Sequence, residues 1–122
     1  MKLLLDTNAL IRWYFGTIRA TAVNDIRRAD VVAVSAVSAW EIAIKSARGK
    51  LEFRDTVEAV SAANGFLQIP VTVRHADALR SLPLHHGDPF DRLIITQAIE
   101  EGMTIMTSDR AFEPYRVPVV WI

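Results

Sequence analysis

Several short stretches of this 122-residue chain deliver carboxylates where strands should end or helices begin. Asp6 follows KLLL, Glu41 lies inside SAWEIAIK, Asp88 and Asp91 open DPFDRLIITQA, and Asp109 follows TIMTS. Singly, each has an ordinary structural explanation. Asp6 can cap a helix starting at Asn8, Glu41 can close a capping box with Ser38, Asp91 suits a helix dipole, and Asp109 can cap DRAFEPY. Together, Asp6, Glu41, Asp91 and Asp109 pose a different problem. Carboxylates gathered at one place repel each other and lose hydration, so a fold keeps them there only if a cation compensates. The chain has no cysteine. Oxygen-only ligation selects hard ions, Mg²⁺ or Mn²⁺. Two such ions about 3.5–4 Å apart suit phosphoryl transfer, one lowering the pKa of an attacking water and the other holding the leaving oxygen.

Such a site requires elements that bring distant residues to one edge. Apolar runs predict strands over 2–5, 31–34, 66–71, 104–107 and 117–122. Helical spacing predicts helices over 8–15, 18–28, 38–48, 54–63, 73–82 and 89–101, with a helical turn at 109–115. Asp88 before Pro89, with Gly102 beyond, frames the clearest helix, and N-capping is a sufficient task for Asp88. Thr72 suits an N-cap, Gly49 and Asn64-Gly65 suit helix ends, and Pro70 belongs near a strand end or sheet edge. Strands alternating with helices imply an α/β chain with a central, mainly parallel sheet between two helical layers. Ligands in such sheets sit at the carboxyl ends of the strands. Asp6 and Asp109 fall there, and Glu41 and Asp91 are each expected one turn into a helix facing the same crevice.

Composition narrows the possibilities. The length fits one compact domain over residues 1–122, and 51% hydrophobic residues can build its core. No apolar run approaches the roughly 18 residues of a membrane span. MKLLLD meets a charge too soon for a signal segment, so the expected compartment is the cytoplasm. The charge balance is 14 to 14, which argues against indiscriminate nucleic-acid binding. Eleven of the 14 basic residues are arginine, the better fork for phosphate, so an RNA partner is permitted rather than indicated.

LLLDTNALI, VSAVSAWEIAIK, HHGDPFDRLIITQA and TIMTSDRAF resemble, in order, the four successive motifs of the PIN-domain ribonucleases, and more closely those of VapC-type toxins of type II toxin–antitoxin pairs. VPVVW resembles the closing strand of that family. The resemblance implies a PIN-like three-layer α/β/α sandwich and endonucleolytic cleavage of structured RNA with one or two Mg²⁺ or Mn²⁺ ions. It further implies homodimerisation and inhibition by a cognate antitoxin. It places the acidic quartet on Asp6, Glu41, Asp91 and Asp109, and hydroxyl or amide helpers on Thr7, Asn8 and Ser108. Asp88 is a further auxiliary candidate.

Other features carry two readings each. Arg92 and Arg110 directly follow site acids and are candidates for contacts with RNA or antitoxin, with plain surface arginine as the alternative. His86, beside His85 on a loop, is a similar candidate, and no cysteine or HxxxH spacing supports zinc. Lys45, four residues after Glu41, fits a helical ion pair. Residues 9–15 are apolar almost all round, which predicts either a protein interface or a helix sandwiched inside the domain. Two rival functions remain. A receiver- or phosphatase-like phosphotransfer protein also places acids at strand ends, but Asp6 is followed by Thr7-Asn8 rather than a second aspartate. A non-catalytic module would keep the fold and only dock a partner.

Overall fold

A computed structural model describes residues 1–122. Five strands, β1 (Lys2–Leu5), β2 (Val31–Ser35), β3 (Leu67–Ile69), β4 (Thr104–Thr107) and β5 (Val119–Trp121), form one sheet in the order β3-β2-β1-β4-β5. Every neighbouring pair is parallel, so the sheet is wholly rather than mainly parallel. The connecting helices are α1 (Thr7–Phe15), α2 (Ala20–Arg28), α3 (Ala36–Ala47), α4 (Val57–Asn64), α5 (Val73–Ala78) and α6 (Pro89–Glu101). None of them is long and apolar enough to cross a membrane.

Alternation along β1 builds the layers. Leu3 and Leu5 enter one apolar cluster with Ala9, Leu10, Ala22, Ile26, Val57 and Val60, from α1, α2 and α4. Leu4 enters the opposite cluster with Ile94, Ile95 and Ala98 of α6 and Phe112. All three leucines are fully buried, each stabilising the fold by roughly 2 kcal/mol through lost apolar surface. The order of strands reverses direction at β1, since β2 and β4 lie on its two sides. In open parallel sheets that reversal marks the carboxyl ends of the flanking strands, here β1 and β4, as the place where ligands bind.

Several boundaries shift for identifiable reasons. The α3 helix begins at Ala36, because Ser35 caps it by accepting the Val37 N–H at 3.0 Å. Ser38 is therefore inside the helix, buried against Thr7, and the Ser38–Glu41 capping box does not form. Glu41 sits in the second turn. Thr56 caps α4, so that helix starts at Val57 instead of residue 54. The α2 helix starts at Ala20 without a side-chain cap. The expected helix over 73–82 is α5 followed by a 3-10 turn, Leu79–Ser81, and the turn after Asp109 is likewise 3-10, Arg110–Phe112. The β3 strand is short and lies at the sheet edge, with Pro70 just past its end.

The apolar surplus on α1 is largely absorbed within the fold. Trp13 packs on Phe66 and Tyr14 stacks on Phe53, with ring centroids 5.6 and 4.0 Å apart. Ile11, Trp13 and Tyr14 are partly buried against the core, and only Phe15 stays well exposed. The sandwiched-helix alternative is the one realised.

Candidate active site

The candidate site centres on Asp6, which directly follows β1 and is 2% exposed. Its Oδ1 accepts the Ala9 N–H at 2.7 Å, capping α1, while its Oδ2 accepts the Thr107 hydroxyl at 2.5 Å. Capping thus accounts for one oxygen and the Thr107 bond engages the other. Burial pushes the Asp6 carboxyl up from 3.8 to about 6, against the lowering effect of its Thr107 and Ala9 bonds; the nearby charges of Asp109 and Glu41 add to the rise.

Asp109 lies two residues past β4. Its Oδ1 accepts the Ala111 N–H at 2.9 Å, and its own N–H donates to Thr107 Oγ1 at 3.0 Å. The Thr107 hydroxyl therefore joins Asp6 to the Asp109 backbone. The family resemblance put hydroxyl and amide helpers on Thr7, Asn8 and Ser108 and did not point to Thr107; Ser108 takes no part in these bonds. The signal was the sheet register: Leu5 pairs with Met106, so the next residue on each strand, Asp6 and Thr107, must meet.

Glu41 pairs with Lys45 at 2.9 Å, as helical spacing suggested, and its side chain is 12% exposed. Its second oxygen, Oε1, is buried and has no hydrogen-bond partner. An orphaned carboxylate oxygen is costly unless something else satisfies it.

Asp91 is at the third position of α6, where Asp88 Oδ1 accepts its N–H at 3.0 Å. Asp88 thus performs the N-cap role its position before Pro89 suggested. Asp91 Oδ2 lies 3.0 Å from His86 Nε2. Burial pushes the Asp91 carboxyl up to about 6, against the lowering effect of His86; Asp88, Asp6 and Glu41 push in the same direction as burial. The electrostatic links run from Asp6 to Glu41, Asp109 and Asp91, so all four acids share one region.

The remaining candidates separate. Thr7 is buried, with Oγ1 3.0 Å from Ser38 Oγ, and Asn8 is exposed. The guanidinium of Arg92 donates to Pro83 O at 2.8 Å and to Leu82 O and Tyr115 Oη at 3.2 Å. Those bonds tie α6 to the loop at residues 82–83 and to Tyr115. Arg110 is exposed and lies over the Trp121 ring, 4.3 Å from its centroid. His86 turns to Asp91 rather than to solvent, and His85 meets the Tyr115 ring edge-on. The largest concavity, about 910 Å³, lies elsewhere, by Val31 and Leu67 at the starts of β2 and β3.

These residues fit a hard divalent cation. The donors are carboxylate oxygens, Glu41 Oε1 lacks a partner, and burial with mutual repulsion raises Asp6 and Asp91. The tightest set of ligand atoms is nevertheless His86, Asp88 and Asp91, within 4.8 Å of one another. Asp6, Glu41 and Asp109 stand outside that set, turned to Thr107, Lys45 and Ala111. Like-charge repulsion favours this spreading.

A wholly parallel sheet between helical layers, with four acids in the region of its carboxyl edge, defines an acid-lined α/β/α domain. The family model for the PIN domain matches residues 3–117. Ribonuclease VapC22 of Mycobacterium tuberculosis is 31% identical over 126 residues, covering 97% of both chains. The chain belongs to the PIN domain family. Among solved structures, VapBC2 from Rickettsia felis bound to a DNA fragment from their promoter aligns with TM-score 0.75 at 16% identity, over 100% of this chain and 99% of that one. A toxin–antitoxin complex from Klebsiella pneumoniae aligns with TM-score 0.65 at 18% identity, over 98% and 96%.

Proposed function

We propose that this chain is an endoribonuclease dependent on Mg²⁺ or Mn²⁺, and the toxin of a toxin–antitoxin pair. The observation that carries the reading is the arrangement of Asp6, Glu41, Asp91 and Asp109: two carboxyls lifted to about 6 and one buried oxygen without a partner. The ribonuclease name of the 31%-identical relative supports the RNA substrate. Asp6, Glu41, Asp91 and Asp109 would hold the cation. When bound, it supplies Lewis acidity at the scissile phosphate and makes water a better nucleophile. Thr107 orients Asp6 and the Asp109 backbone, Lys45 steadies Glu41, and the Asp88 cap fixes the first turn of α6.

Glu41→Gln is the direct test. Glu41 is not a cap, so its loss removes one partly exposed ion pair with Lys45, costing under about 1 kcal/mol. Cleavage of a structured RNA with Mg²⁺ or Mn²⁺ should fall about 10²-fold or more, the scale of losing one group that stabilises developing charge. Normal cleavage by the variant would remove Glu41 from the site. No cleavage by the unmodified protein with either ion would favour the docking module.

The implied homodimer has a candidate surface on α3. Ala36, Trp40, Ala43 and Ala47 are all exposed at positions i, i+4, i+7 and i+11, a single helical stripe. Trp40 is 58% exposed, with Phe90 tilted against it at 4.8 Å. Alanines permit close approach of a second helix, and the aromatic pair supplies apolar area. Trp40→Glu should shift the protein from dimer to monomer in sedimentation velocity at micromolar concentration. A variant that remains dimeric would move the interface elsewhere. An antitoxin as a further partner is supported by the likeness of fold to the toxin–antitoxin complex.

A further inference from the structure

We propose that His86, Asp88 and Asp91 form a mixed nitrogen–oxygen cation seat that prefers a divalent transition-metal ion to Mg²⁺. The proposal rests on the metal-dependent reading for Asp91 alone; its other two members lie outside the acidic quartet.

Geometry is the first argument. One nitrogen of His86 and one oxygen from each carboxylate lie within 4.8 Å of one another. The His86 Nε2 to Asp91 Oδ2 separation is 3.0 Å. In an octahedral shell with bonds of about 2.1 Å, adjacent ligands stand about 3 Å apart. The pair thus already has the spacing of neighbouring ligands.

Rigidity is the second. His86 is on a loop pinned on its N-terminal side: Arg92 holds the Leu82 and Pro83 carbonyls, and His85 packs on the edge of Tyr115. Asp88 and Asp91 are locked to each other, since Asp88 Oδ1 accepts the Asp91 N–H, and Pro89 fixes the backbone between them. Asp88 Oδ2 remains for a ligand. All three residues are half-buried, so an ion can enter without the fold opening.

Selectivity follows from ligand type. Imidazole suits first-row transition ions, whereas Mg²⁺ favours oxygen and its own water. Asp91 would belong both to this seat and to the acidic quartet, so occupancy here bears directly on the proposed reaction.

The test uses the full-length protein and Mn²⁺. Pulsed EPR should show ¹⁴N coupling from one imidazole in the unmodified protein and in His85→Gln, but none in His86→Gln. Glutamine is neutral and can still hydrogen-bond Asp91, so a purely positioning role would survive it. By titration, His86→Gln should bind Mn²⁺ about tenfold more weakly or worse, with Mg²⁺ affinity within about twofold of the original. Circular dichroism should be unchanged for this loop substitution. Absence of ¹⁴N coupling in the unmodified protein, its persistence in His86→Gln, or equal losses for both ions would overturn the proposal. These readouts need no RNA, so an inactive protein that still shows the coupling would refute the nuclease reading and leave this one standing.

Discussion

Replacing Asp6 by asparagine should abolish RNA cleavage, by about 10⁴-fold if the acids act as a unit, and should make the metal-free protein more stable. Asparagine caps a helix as well as aspartate does, so the bond to Ala9 survives. What changes is charge, together with the direction of the Thr107 bond, in which the asparagine amide would donate to the hydroxyl that now donates to Asp6. The folded protein holds the Asp6 proton up to about 6, whereas the unfolded chain releases it near 3.8. Between those values the folded state binds more protons, so stability falls as pH rises through the window and stays lower above it. Below about 3.8 the penalty is absent. At pH 8 the ionised group costs about 3 kcal/mol, part of it shared with Asp91, Asp109 and Glu41. In EDTA at pH 8 the variant should therefore melt up to about 10 °C higher, and the difference should close near pH 4. Saturating Mg²⁺ should reverse the order, because only the unmodified protein gains binding free energy. Calorimetry at the two pH values, with and without Mg²⁺, reads all of this. A large fall in melting temperature at both pH values would mark Asp6 as purely structural.

The sequence was most legible where local punctuation and burial agree. Pro89–Glu101 and Thr104–Thr107 have the expected bounds because Asp88-Pro89 starts the helix, Gly102 stops it, and an apolar run follows at once. Local signals misled at α3. Ser35 and Ser38 are both good caps, and Ser38 even has a glutamate three residues on. Only the contact with Thr7, 31 residues away, shows that Ser38 is interior. The same limit applies to α1, whose apolar excess is covered by Phe53 and Phe66 from another part of the chain. At the candidate site, residue types were readable but partners were not. Nothing near Arg92 announces that it will hold Leu82 and Pro83. Thr107 acquires its task only when β4 lies beside β1.

Gln97→Ala should be among the most destabilising single changes in the molecule, although Gln97 belongs to no proposed ligand set. It is fully buried. Its Oε1 accepts the Ser35 hydroxyl at 2.5 Å, and its Nε2 donates to Pro70 O at 3.0 Å and lies 3.3 Å from His75 Nδ1. His75 Nδ1 also accepts the Thr72 N–H, so the ring proton is on Nε2, where it donates to Glu101 at 2.8 Å. Gln97 thereby fastens α6 to the cap of α3, to the end of β3 and to the start of α5. Truncation leaves a cavity and strands the Ser35 hydroxyl and the Pro70 carbonyl, which should cost about 3–5 kcal/mol. Gln97→Leu fills most of the volume but restores no bond, so about 2 kcal/mol should remain, and the difference between the variants measures the cavity. Urea unfolding of both, in EDTA, checks the split. Because Ser35 caps the helix carrying Glu41, and Gln97 shares a helix with Asp91, Gln97→Leu should also weaken Mg²⁺ binding several-fold without touching a proposed ligand. If Gln97→Leu instead unfolds with unchanged free energy, the polar network does not clamp these helices, and the spacing of Glu41 and Asp91 must be set by apolar packing alone.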